Sequence, residues 1–296
     1  MAETTGAGVG VLFNPSLDGF LEAPEALDYL EIIPDRGWID RGRGSPSRFA
    51  LLPHAEASRA RVAGPLPTPL HGIGLSICSA DFFDQEYAEQ LICSQRRLSS
   101  PWVSEHLSFS RLSTDHEVNT AVAVAVPYDR AMLDVLVPRV QFFTRRLACP
   151  FLLENSVSYL TYPDEDMSEP EFLNELCART GCGLLLDLHN LHCNAVNHGF
   201  EPRTYLSALE MENVVEIHVA GGVPMMGFHT DSHTGPVLEP VWQFLDDVWP
   251  RAPRLRGVTF EFHESSFRLL GRDGVLAQVS RARQAITRAT SAGSGT

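Results

Sequence analysis

The sequence predicts an α/β fold, a (β/α)₈ barrel of the TIM type with a metal site at the C-terminal ends of its strands. Three observations lead there. Eight short apolar runs recur along the 296 residues. Segments of helix length with amphipathic spacing separate most of them, and strand alternating with helix eight times in a chain of this length is the pattern of such a barrel. Residues of metal-ligand type then stand where the runs end, most densely in LLLDLHNLHCNAVNHG (184–199).

The first strand is VGVLF (9–13) and the second YLEII (29–33). The segment 35–67 is loop-rich and reads as an insertion in place of a clean helix. TPLHGIGL (68–75) and WVSEHLSF (102–109) follow as the third and fourth strands. VAVAVPYD (122–129) is strand-like but falls outside the count, so it either covers the barrel or forms an extra hairpin. YDRAMLDVLVPRVQFFTRRL (128–147) has helical spacing and leads to PFLLEN (150–155), the fifth strand. EPEFLNELCART (169–180) is helical, and CGLLLDLHN (182–190), VVEIHVAGG (214–222) and GVTFEFHE (257–264) complete the eight. The expected organisation is one domain over 1–288 and a small polar tail, 289–296, that is disordered.

Composition narrows the function. The formal net charge is −14, from 23 basic and 37 acidic residues. No block of basic residues is present, which argues against a nucleic-acid surface. The acidity suits a protein whose carboxylates hold cations. The six cysteines form no C-x-x-C pair, which excludes a zinc ribbon and a thioredoxin-type motif. No apolar run reaches the length of a membrane span, and the N-terminus lacks the features of a secretory signal. The expectation is a cytoplasmic protein with reduced thiols.

In barrels of this kind the chemistry sits at the C-terminal ends of the strands. Strand three offers His71 there and strand four Glu105 and His106. Strand five offers Glu154 and strand six Asp187, His189 and Asn190. Strand seven offers His218 and strand eight Glu261, and the loop after strand seven adds Asp231 and His233. Singly, a strand histidine is more often a satisfied core residue, and a strand-end acid often caps the next helix. The set resists that reading, because burying so many ionisable groups on one face without a cation is costly. Nine residues form the ligand list: His71, His106, Glu154, Asp187, Asn190, His218, Asp231, His233 and Glu261. One octahedral ion takes about six ligands, so two or more carboxylate-bridged metals are expected. Imidazole and oxygen without thiolate suit iron or manganese and leave zinc open. Asp231 and His233, two apart on an extended loop, would point the same way and reach one metal edge. Glu31 on strand two reads as structural. Glu105 and Glu216 stand beside or two residues before a histidine, where they would tune the imidazoles.

LHGIGLS (70–76), VSEHLSFS (103–110), LLENSVSY (152–159), LLLDLHNLHCNAVNHG, EIHVAGG (216–222), TDSHTGPV (230–237) and TFEFHES (259–265) resemble, in order, the motifs of the multinuclear non-heme iron-dependent oxidative enzymes. The resemblance spans most of the chain. It implies two or three iron ions in mixed Fe(II)/Fe(III) states and O2 as co-substrate. It also implies a cysteine, aspartate or asparagine-like residue of a ribosomally made precursor peptide as the group modified. A separate partner protein would deliver the peptide. His71, His106, Glu154, Asn190, His218, Asp231, His233 and Glu261 match the family's iron ligands, with Asp187 beside them. Asp187, Glu105 and His189 are the candidates for catalytic roles around them. Two departures from the family pattern stand out. Asp35-Arg36 replaces an acidic-Asn pair after strand two, and Phe262-His263 follows Glu261 where Trp-Asp is usual. Two rival readings remain at this stage. One is a divalent-metal isomerase or endonuclease of the same barrel class, the other a non-catalytic metal-binding protein.

Overall fold

The computed structural model describes residues 7–17, 26–112 and 118–292. Eight parallel strands form the barrel wall: β1 (Gly8–Leu12), β2 (Tyr29–Glu31), β3 (Leu70–Gly72), β4 (Val103–His106), β5 (Phe151–Glu154), β6 (Gly183–Asp187), β7 (Val214–Ala220) and β8 (Gly257–Glu261). Their order in the sheet is β2-β1-β8-β7-β6-β5-β4-β3. The Ile32–Leu70 bridge closes the circle, with His71 N donating to Ile32 O at 2.9 Å. Each of the eight apolar runs contains one strand of this wall.

Helices α1 (Pro53–Ala63), α2 (Gln85–Leu98), α3 (Arg130–Thr144), α4 (Glu169–Thr180), α5 (Leu188–His198), α6 (Pro202–Ala208), α7 (Glu239–Val248) and α8 (Phe267–Ala292) surround it. Local chemistry sets their starts. Asp84 and Asp129 accept from backbone amides of the first turn of α2 and α3, and Ser168 with Glu171 makes a reciprocal capping box on α4. The outward strand residues, among them Val9, Leu30, Leu153, Leu186, Ile217 and Phe260, are buried against this helical layer in one large core.

The segment 35–67 is an insertion followed by a helix. Trp38–Asp40 pairs with Phe49–Leu51 as a hairpin, and α1 comes next. The surplus run at 122–129 takes the hairpin alternative: Val118–Val124 pairs with Phe109–Leu112. The tail differs from expectation. α8 continues to Ala292, so residues 289–292 are helical, while 293–296 lie outside the described residues.

The lower end of the barrel is plugged by a small cluster of Tyr29, Trp102, Leu152, Leu185 and Val215. Tyr29 fits because its neighbours have no side chain. A Cβ at Gly10 would fall within the Tyr29 ring, and one at Gly257 would lie 2.5 Å from its hydroxyl. Gly10→Ala should therefore destabilise the fold by about 1–3 kcal/mol, the usual cost of overpacking a core. Urea unfolding checks this, and an unchanged midpoint would show that the ring moves freely. The plug leaves only the upper end of the barrel for chemistry.

Candidate metal centre

Alternation along each strand decides which polar side chain enters the barrel. Ser104 and His106 on β4 share the inward face, so Glu105 between them points the other way. Its carboxylate accepts from His106 N at 3.1 Å and Leu75 N at 3.3 Å, and it lies against Gly72 on the wall of the barrel. This corrects the catalytic role expected for Glu105. Its Oε1 is 3.9 Å from His106 Nδ1, so it braces β4 and the loop after β3 from behind.

Inside, the ligand types converge. His71 Nε2 is 3.4 Å and His106 Nε2 is 3.2 Å from Glu154 Oε2. The two rings stand edge to face with centroids 4.7 Å apart. Ser104 Oγ lies 2.9 Å from His71 Nδ1 and turns the other nitrogen toward Glu154. Asp187 ends β6 and caps α5: its Oδ1 accepts from Asn190 N at 2.7 Å, and its Oδ2 has no hydrogen-bond partner among the described residues. Asn190, in the first turn of α5, donates through Nδ2 to Glu154 Oε1 at 3.2 Å and Asn155 O at 3.0 Å. Its Oδ1 is left unpaired. Asn155 locks the base of this arrangement, exchanging bonds of 2.7 and 3.0 Å with the Asp187 backbone.

The far side is built from β7, β8 and a loop that folds back on them. His218 Nδ1 is 3.1 Å from Glu261 Oε2. His233 Nδ1 is 3.4 Å from Glu261 Oε1, and His233 Nε2 is 2.6 Å from Asp231 Oδ1. Neither of these last two atoms makes a hydrogen bond of acceptable angle. They face one another at ion-pair distance and could share one ion. The loop is not simply extended: His233 has φ 49°, a left-handed conformation that costs a non-glycine residue about 1–3 kcal/mol. His263 N holds it by donating to His233 O at 2.8 Å.

Three trios of ligand atoms lie at the upper end: His71, His106 and Glu154; Glu154, Asp187 and His218; Asp187, His233 and Glu261; a fourth, Glu31, Glu216 and His218, lies below them. Glu154 belongs to the first two and Asp187 to the second and third. No trio contains a cysteine. The residues fit a group of cations. Glu154 Oε2, Asp187 Oδ2, Asn190 Oδ1, Asp231 Oδ1 and His233 Nε2 are all buried and lack hydrogen-bond partners among the described residues, a cost that metal coordination would remove. Glu154, Asp187, His71, Asn190 and His218 are buried, whereas about a fifth of the His106, Asp231 and His233 side chains is exposed. The accessible edge of the centre therefore runs along these three.

His189 does not join the cluster. It lies on α5 with Nε2 3.3 Å from Thr230 O and 3.6 Å from Cys193 Sγ, behind the loop that carries Asp231. This corrects the catalytic role expected for it: the imidazole supports the loop. Glu31, read as structural from the sequence, stands against one of the converging histidines. It is fully buried, its Oε2 lies 2.9 Å from His218 Nε2, and neither of its oxygens has a well-aligned hydrogen bond. Its two-residue inward spacing from Tyr29 was the available signal. Arg36, one of the two residues that depart from the family pattern there, is exposed after β2.

The charges of the metal-free cluster are mutually dependent. Burial, then the Asp231 charge, raises Asp187 to about 7, and burial raises Glu154. Burial opposes a charged His233, but Asp231 and Glu261 outweigh it and raise the imidazole to about 10. Burial lowers His71, helped by His106 and His218. Asp187, Glu154 and His233 hold their protons more tightly folded than unfolded, so the stability they contribute is lost as pH rises through their folded values. Histidines of the unfolded chain have released their protons above about pH 7.5. Metal-free protein should therefore lose stability from about pH 7.5 to 9. Bound metal, which takes deprotonated ligands, should remove the trend. Calorimetry across that range checks this, and a melting temperature of the metal-free protein that rises with pH would contradict it.

Fold and site together define a class: a (β/α)₈ barrel that gathers imidazoles, carboxylates and an amide at its upper end. The chain belongs to the family of RiPP precursor modification enzymes MbnB/TglH/ChrH, which it matches over residues 6–286. Curated relatives carry only the name UPF0276 protein. One from Bordetella pertussis is 35% identical over 290 residues, covering 95% of this chain and 93% of its own length. One from Caulobacter vibrioides is 35% identical over 238 residues, 80% of each chain. Among solved structures, an L-ribulose 3-epimerase aligns over 97% of each chain with TM-score 0.57 at 12% identity. The IOLI protein with a binding zinc atom aligns over 95% of this chain and 98% of its own, with TM-score 0.57 at 13% identity. These two share the barrel fold. No helix among the described residues is long and apolar enough to cross a membrane.

Proposed function

We propose that this chain is an iron- and O2-dependent oxidative enzyme that modifies a residue of a ribosomally made precursor peptide. The observation that carries this reading is the chain of three ligand trios joined through Glu154 and Asp187. Shared carboxylates are what a cluster of two or three iron ions requires, and a lone catalytic ion would need fewer than half of the nine ligand residues. The all-nitrogen-and-oxygen donor set suits iron, and membership of a peptide-modifying family supports a peptide substrate.

His71, His106 and Glu154 would hold one ion, Asp187, His233, Asp231 and Glu261 another, with His218 and Asn190 between them. Bound iron would supply the electrons that reduce O2 and the Lewis acidity that holds a substrate heteroatom. The protein does the rest. The plug beneath the site and the buried inner ligands exclude water, so charges within it interact strongly. The partly exposed edge of His106, Asp231 and His233 would admit the peptide side chain. The hairpin Pro224–Met225/Phe228–His229 stands next to that edge, with Met226 at its tip 93% exposed. A solvent-exposed methionine tip beside the opening supports contact there with the peptide or with a separate protein that delivers it.

The test is anaerobic reconstitution with Fe(II), addition of each short peptide found encoded next to the gene as candidate precursor, and exposure to O2. The expected result is stoichiometric O2 uptake with a mass change in the peptide. Asp231→Ala and His233→Ala should abolish that mass change while leaving a folded barrel. Full turnover with zinc or manganese and no O2 uptake would instead indicate an isomerase or hydrolase. Metal binding without any product would indicate a storage or delivery protein.

A further inference from the structure

Below the three trios lies a buried polar layer that the proposed chemistry leaves unused: Glu31, Glu216, Thr259 and the ring nitrogen of Trp102. All of these are essentially inaccessible to solvent. Glu31, Glu216 and the lower nitrogen of His218 come close enough to resemble a fourth cation site. The hydrogen bonds argue otherwise. Glu216 is already engaged through both oxygens, since Trp102 Nε1 donates to Oε2 at 2.6 Å and Thr259 Oγ1 donates to Oε1 at 2.8 Å. It stands 3.9 Å from His218 Nε2. That leaves one carboxylate and one imidazole nitrogen, too few to hold an ion in a dry interior.

What remains is a carboxylate on the far side of a candidate ligand. His218 presents Nδ1 toward Glu261 at 3.1 Å and Nε2 toward Glu31 at 2.9 Å. A neutral imidazole carries its proton on one nitrogen only, and the partner of that nitrogen decides which. We propose that Glu31 is a positioning residue: with a metal on Nδ1 beside Glu261 the ring proton of His218 resides on Nε2, and the Glu31 carboxylate, 2.9 Å away though poorly aligned as it stands, accepts it after a small turn of the ring. Glu216, fixed by Trp102 and Thr259, keeps a second carboxylate at hand below and prevents the ring from tipping away. A carboxylate behind a ligating histidine fixes its tautomer and raises its basicity, and losing such a partner typically costs about 10–100-fold in metal affinity. The inference rests on the metal-centre reading above.

The test compares full-length wild type, E31Q and E31L, stripped of metal and titrated anaerobically with Co(II), whose visible absorption reports its ligands. E31L should bind at least one Co(II) about 10–100-fold more weakly, with an altered visible spectrum. E31Q keeps an oxygen that can accept from Nε2–H, so it should retain the wild-type spectrum and most of the affinity. Metal-free E31L leaves the buried His218 Nε2–H without its acceptor and should melt lower than wild type, so Co(II) affinity and spectrum are the deciding readouts. A merely structural role predicts the lower melting temperature with unchanged Co(II) affinity and spectrum, and that result would overturn the inference. Wild type that binds no Co(II) would overturn the metal centre itself and this inference with it. Tight wild-type binding with E31L indistinguishable from it would overturn the role of Glu31 alone.

Discussion

Glu154→Gln and Asp187→Asn will each remove more than one metal contact, because each carboxylate belongs to two of the three trios. The expected result is loss of at least one iron per chain and a fall in peptide oxidation of more than about 100-fold, since even groups that only orient ligands are worth 10–100-fold. His71→Ala touches one trio only and should cost fewer ions. The difference between the bridging and the terminal variants is the informative part. Elemental analysis of anaerobically purified proteins reads it directly. Equal iron loss in Glu154→Gln and His71→Ala would argue against sharing. The amide replacements keep the side-chain volume, and the barrel wall around them does not depend on their charge, so folded variants are expected. Asp187→Asn also keeps an oxygen able to accept from Asn190 N at the start of α5.

Removing the metal should have the second large effect. Glu154, Asp187, Asp231 and Glu261 then face one another with only histidines to balance them, and several of their atoms have no partner. A ligand present at about 100 times its dissociation constant stabilises the native state by about 2.7 kcal/mol, and more than one ion adds to this. For a chain of this size that corresponds to a melting temperature lower by roughly 5 °C or more after chelation. Calorimetry before and after verified metal removal measures it. An unchanged melting curve would mean that the cluster is not organised around cations.

The barrel was legible because each strand is short, apolar and ends abruptly in polar residues. PFLLEN and CGLLLDLHN could hardly be anything other than buried strands opening onto a site. The residues that converge at the site were legible for the same reason: His71, Glu154, Asp187, His218 and Glu261 interrupt or end runs that would otherwise be wholly apolar. Glu105 was misplaced because residues one apart on a strand face opposite ways, and VSEHLSF does not say whether Glu105 or His106 points inward. Only the closed barrel decides that. His189 was misread for a helical version of the same problem, since α5 begins at Leu188 and turns Asn190 toward Glu154 while His189 swings behind the Asp231 loop. Glu31 read only as structural because its contact is with His218, 187 positions away and reached only across the barrel. The left-handed backbone at His233 was likewise invisible, because DSH reads equally well as an extended segment or a turn.

The central claim is a carboxylate-bridged cluster of iron ions at the upper end of the barrel, and Mössbauer spectroscopy with iron quantitation on one anaerobic, 57Fe-reconstituted sample tests it most directly. The account predicts at least two irons per chain, with nitrogen and oxygen ligation and magnetic coupling between ions that share Glu154 or Asp187. A single uncoupled ion per chain, or full activity in protein holding only one zinc, would contradict it.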